Sequence, residues 1–194
     1  MPLDFPLDLT IERYYLKDVL RAIIHSILFH RSFSMTRPKD ADIELLNIVY
    51  PRLDDPEIER LVEEKVAAFL RAFDPAAGGS NTGQVIIMFS ERREKKSTWF
   101  VKVSDDSCWE QWIVTLTLTQ AKTEKEQIES KKMVETQLLN CLSSISQKTN
   151  DHKDHIPPVT NNDTYPFPFQ IIVSNSEMKW TGLIQLFLEK TGHP

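Results

Sequence analysis

Between Glu12 and about Arg31 the apolar residues Leu16, Val19, Leu20, Ile23, Ile24, Ile27 and Leu28 recur at spacings of three and four, which predicts one helix with a single apolar stripe. The stripe is nearly unbroken, so burial against a sheet is expected and this becomes the central core helix. Asp42 to Tyr50, rich in Ile, Leu and Val, predicts a strand closed by Pro51. Asp55-Pro56-Glu57 reads as a helix start: the aspartate can accept from free amides, proline sits at the first helical position, and the acid suits the helix dipole. Ile58, Leu61, Val62, Val66, Phe69, Leu70 and Phe73 continue at helical spacing to Pro75, and Ala76 to Gly83 then predicts a loop. Val85 to Phe89 predicts the next strand.

Glu91 to Lys96 is dense in charge and leads into Trp99-Phe100-Val101. From Trp112 to Thr119 the chain alternates, with Trp112, Val114, Leu116 and Leu118 on one face and Ile113, Thr115, Thr117 and Thr119 on a wetter one. Thr123 and Glu126 form a capping-box pair opening a helix with Val134, Leu138, Cys141, Leu142 and Ile145 on one side. Gln147 to Pro166 is polar and reads as a long solvated loop, Phe167 to Val173 as an edge strand, and Trp180, Leu183, Ile184, Phe187 and Leu188 as a final helix. This order predicts one α+β domain over residues 1–194, with the strands at Val85 and Trp112 paired antiparallel.

The chain has 194 residues, 41% of them hydrophobic and 26% charged, enough apolar surface for a sizeable core. Its net charge of −5 gives no electrostatic footprint for a phosphate backbone, so no nucleic-acid partner is expected. Two separated cysteines suit a reducing compartment, and the acidic, proline-bearing start Met1 to Asp8 does not read as a signal peptide. No apolar run reaches the length of a transmembrane segment. A cytoplasmic location is the expectation.

Catalytic and cofactor signatures are not found. Gly78, Gly79 and Gly83 lack the Lys-Ser/Thr pair of a phosphate loop, and neither Cys108 nor Cys141 sits in a reactive context. His25 and His30 are five apart on different helix faces, and the His30-Arg31 pair is accounted for by the helix dipole. His152 and His155, with Asp151 and Asp154, fall in the polar loop without rigid support for a metal. We therefore expect no catalytic residues, no cofactor and no metal. What remains is Trp99 and Phe100, an aromatic pair beyond a charged stem, whose residue types suit an anchor for another protein.

The helix segment Tyr15 to Ser32, ending in His-Arg-Ser, resembles the first helix of the autophagy-related protein 101 family. Lys95-Lys96-Ser97-Thr98-Trp99-Phe100, followed by Ser104-Asp105-Asp106, Cys108, Trp109-Glu110 and Trp112, is similar to that family's segment bearing an exposed Trp-Phe finger. Gly83-Gln84 and Phe169-Gln170-Ile171 agree as well. The resemblance implies a HORMA domain, in which central helices lie on a mainly antiparallel sheet, and a scaffold in place of an enzyme. It implies a heterodimer with the HORMA domain of autophagy-related protein 13, membership of the autophagy-initiation serine/threonine kinase complex at the preautophagosomal structure, and recruitment of downstream autophagy factors by Trp99 and Phe100. The alternative is a peptide-trapping HORMA module of the mitotic-checkpoint type, using the polar segment 147–166 and the C-terminal strand and helix as a mobile clasp.

Overall fold

The structure, a computed structural model, describes residues 2–73, 80–94, 104–161 and 163–175. Its elements run β1 (Leu3–Glu12), a 3-10 turn (Arg13–Tyr15), α1 (Leu16–Arg31), β2 (Pro38–Ile43), a second 3-10 turn (Glu44–Leu46), β3 (Ile48–Leu53), α2 (Pro56–Ala72), β4 (Thr82–Glu94), β5 (Ser104–Thr119), α3 (Glu124–Asp151) and β6 (Phe169–Asn175). The main sheet has the order β1-β5-β4-β6. Only the β1–β5 pair in it is parallel; β4 pairs antiparallel with both β5 and β6. Three helices on a mixed, mostly antiparallel sheet make this an α+β fold.

The helix α1 is the core of the molecule. Leu16, Val19, Leu20, Ile23, Ile24, Ile27 and Leu28 are all solvent-inaccessible, each contributing about 1.5–3 kcal/mol of transfer free energy. Burial extends beyond the stripe to Ala22, His25 and Ser26, because α1 meets α2, α3 and β3 as well as the shared core. Buried Trp112, Val114, Leu116 and Leu118 all belong to that core, as the alternation requires.

One element goes unread in the sequence and two expectations need correction. The segment Leu3–Glu12 is a strand, recorded in the sequence by Leu3, Phe5, Leu7, Leu9 and Ile11 alternating with polar residues and Pro6. Proline is accommodated because β1 is an edge strand and its backbone at Pro6 faces α3, where the Pro6 carbonyl accepts from Lys148 Nζ at 3.0 Å. The amide of Thr10 likewise donates to Gln137 Oε1 at 2.8 Å, so α3 satisfies part of the edge. Second, Asp42 to Tyr50 is not one strand closed by Pro51 but the centre of a β2–β3 hairpin, turning at Asn47 with φ 49°; Pro51 lies within β3, opposite Asp40. Third, α3 continues to Asp151, so the loop begins five residues later than the composition suggests.

The caps are as read. Asp55 Oδ1 accepts from the amides of Glu57 and Ile58, and its other oxygen accepts from the Tyr165 hydroxyl. That hydroxyl, with the two amides, holds the Asp55 carboxyl below its ordinary range. Thr123 and Glu126 complete a reciprocal capping box on α3.

Under the hairpin, His25 is 1% exposed, stacks on Tyr50 at 6.2 Å, and its Nδ1 has no hydrogen-bond partner among the described residues. Burial, reinforced by Arg52, pushes its pKa down to about 4, with Arg21 acting the same way and Glu59 and Glu63 opposing. A histidine that titrates near 6.5 unfolded and lower when folded takes up protons on unfolding. Its contribution is therefore fully present above about pH 6.5 and is lost as pH falls toward 4. Urea midpoints for the wild type should drop by the equivalent of roughly 2 kcal/mol more than those of His25→Gln between pH 7 and 4.5. Parallel pH profiles for the two proteins would remove His25 from this role.

Candidate functional site

Beyond Phe89 the sheet, among the described residues, narrows to two strands. The β4–β6 register ends at Phe89↔Phe169 and the β1–β5 register at Leu3↔Glu110. The β4–β5 ladder alone runs on, from Ser90↔Cys108 to Glu94↔Ser104. At about 3.4 Å per residue this is an arm of roughly 15 Å. Its register sets Arg92 opposite Asp106 and Arg93 opposite Asp105. Trp99 and Phe100, the proposed binding pair, belong to the connection between Glu94 and Ser104 and lie outside the described residues, as do Gly78, Gly79 and the apolar positions Trp180 to Leu188.

The root of the arm is built by a β-bulge. Phe89 pairs with Glu110 but Ser90 pairs with Cys108, leaving Trp109 as the extra residue. The bulge breaks the in-out alternation, so consecutive Trp109 and Glu110 are both buried. Trp109 packs on Phe89 (5.9 Å), Phe167 (5.1 Å) and His155 (5.5 Å). Ser90 donates its amide to the Pro168 carbonyl at 2.9 Å, which ties the bulge to the chain entering β6.

Glu110 is wholly buried, and its carboxylate is surrounded by donors. Arg31 Nε donates to Oε1 and Oε2 at 2.9 and 3.0 Å, Trp112 Nε1 donates to Oε1 at 2.6 Å, and His155 Nε2 lies 2.8 Å from Oε2. Arg31, 2% exposed, spends its remaining nitrogens on the carbonyls of Thr149 (3.0 Å) and His152 (2.8 Å) at the end of α3. One carboxylate thus joins the C-terminus of α1, the arm root on β5, the C-terminus of α3 and the chain that follows it. This satisfies the condition under which a buried charge is tolerated, a paired counter-ion with the remaining lone pairs occupied.

The same cluster corrects two readings. Arg31 does lie in the last turn of α1, but the dipole does not fully account for it, because it is also half of a buried ion pair. The segment after α3 is not a solvated loop throughout, because His155, Ile156, Tyr165 and Phe167 all pack inward.

Cys108 and Cys141 are free thiols. Burial raises Cys108 to about 11 and Cys141 to about 12, which suppresses the thiolate that nucleophilic chemistry needs. Among the described residues no three His, Cys, Asp or Glu side chains group so as to hold a metal ion, and no helix is long and apolar enough to cross a membrane.

Fold and site together define an α+β domain built around a buried helix, from which a rooted two-strand arm projects. Residues 8–163 match the family model described as autophagy-related protein 101, and the chain belongs to that family. It is 28% identical to autophagy-related protein 101 of Arabidopsis thaliana over 96% of this chain and 94% of the relative. It is 29% identical to that of Schizosaccharomyces pombe over 92% and 91%, and 25% identical to that of Homo sapiens over 76% and 72%.

Proposed function

We propose that the chain is a non-catalytic scaffold of autophagy initiation with a HORMA architecture. In this reading it heterodimerises with the HORMA domain of autophagy-related protein 13 and stabilises it. It works within the autophagy-initiation kinase complex, in the cytoplasm and at the preautophagosomal structure, and presents Trp99 and Phe100 to downstream autophagy factors.

The observation that carries the reading is the arm. Within a chain of this family, the two strands flanking residues 95–103 leave the sheet as a paired ribbon on a fixed root. A ribbon of this kind suits an anchor that must stand clear of its own domain, because a few aromatic side chains supply most of the energy of a protein interface. The suppressed thiols and the lone, structurally engaged His25 and His155 are in keeping with a role that needs no reaction chemistry. Quantitative capture of proteins on the wild-type chain and on Trp99→Ala/Phe100→Ala tests it. Autophagy-related protein 13 should be recovered equally by both, and downstream factors by the wild type alone.

A further inference from the structure

We propose that Glu110 is the positioning residue of the arm. Its carboxylate fixes the direction in which β4 and β5 leave the sheet, relative to α1 and α3. The inference rests on reading residues 95–103 as the recruiting element, and concerns what aims it.

Over its five ladder pairs, Ser90↔Cys108 to Glu94↔Ser104, the arm is flanked by no other strand among the described residues, so its orientation has to be set at its root. A β-bulge supplies a bend there and leaves Trp109 unpaired in the ladder. Apolar packing of Trp109 on Phe89 and Phe167 is strong but non-directional, and rings can slide over one another. The bonds to Glu110 are directional. Three donors from three separate parts of the chain, on Arg31, Trp112 and His155, make four contacts with two oxygens, and Arg31 is in turn held by the α3 carbonyls. Rotation of the root about the strand axis would break several of these at once. The Cys108 thiol, 3.5 Å from the Glu110 carbonyl, continues the contact one residue into the arm.

The alternative is that the cluster only adds stability, and a paired replacement separates the two roles. A buried ion pair exchanged for apolar residues of similar volume commonly keeps stability, whereas it cannot reproduce the bond directions. Arg31→Met/Glu110→Leu should therefore lose clearly less stability than Glu110→Ala, since no unpaired charge is left, while amide hydrogen exchange at Ser90–Glu94 and Ser104–Cys108 accelerates at least tenfold and that at Val85–Ile87 and Val114–Leu116 stays unchanged. Arm and sheet amides that retain wild-type exchange, or that accelerate together, would overturn the proposal. Should the double variant not fold, His155→Ala, which removes one partly exposed donor, should give the same selective acceleration in smaller measure, and its absence would count equally against the idea. These readouts concern the arm alone, so they stand or fall independently of whether Trp99 and Phe100 recruit anything. If they do recruit, the paired variant should also lose tenfold or more of the capture that depends on those two residues.

Discussion

Glu110→Ala should lower the stability of the domain by about 3–5 kcal/mol, the cost typical of leaving one half of a buried ion pair behind. The size follows from what remains. Arg31 keeps its bonds to the Thr149 and His152 carbonyls, so its guanidinium is held in place, charged and shielded from water, with no counter-ion. Trp112 Nε1 and His155 Nε2 lose the acceptor they share. For a chain of this length the loss corresponds to roughly 6–20 °C in melting temperature. Chemical denaturation of the two proteins at neutral pH measures it directly. A change under 1 kcal/mol would mean that the carboxylate is neither dry nor uniquely paired.

Gly83→Ala is expected to cost about 1–3 kcal/mol, as overpacking of a filled core does. A Cβ added at Gly83 would lie 2.2 Å from Cζ of Phe73 and within 2.6 Å of two further ring atoms. Phe73 is 1% exposed and rests on Phe69 at 4.3 Å between ring centroids, which leaves the ring little room to retreat. Gly83 is thus demanded by close approach within a strand, with no special backbone conformation required. The clash predicts its own remedy: Phe73→Leu, destabilising alone, should recover part of the loss in Gly83→Ala, giving a coupling energy in the double-mutant cycle. Strictly additive effects would show that the sheet shifts at β4 to make room.

Much of this fold could be read from residue order. The stripe of α1, the Asp55 cap, the Thr123 and Glu126 box and the alternation from Trp112 to Thr119 each depend on local spacing, and each is found. The errors come where a residue's local meaning yields to a distant partner. Pro6 and Pro51 argue against strands until it is known that both lie on edges, where no ladder bond is missed. The β2–β3 hairpin hides because Asn47, in the left-handed region, is not accompanied by glycine.

The arm root was partly legible. Glu110 stands in the buried register of Trp112, Val114, Leu116 and Leu118, and Arg31 continues the stripe of Ile24, Ile27 and Leu28. One unpaired charge on each of two core faces is a signal that they meet. Their separation by 79 residues conceals it from any reading of local spacing. The bulge was not legible, since nothing in Ser107 to Gln111 distinguishes an extra residue from ordinary alternation. The inward packing of His155 and Phe167 is formed with Trp109, a partner at least 46 residues away in sequence.

The account depends on Trp99 and Phe100 serving a partner and leaving their own domain unchanged. Its most direct measurement is the paired capture experiment with wild type and Trp99→Ala/Phe100→Ala, read alongside the melting temperature of each protein. We predict equal melting temperatures, equal recovery of autophagy-related protein 13 and at least a tenfold fall in downstream autophagy factors. Undiminished recovery of those factors, or a loss of stability as large as that expected for Glu110→Ala, would contradict it.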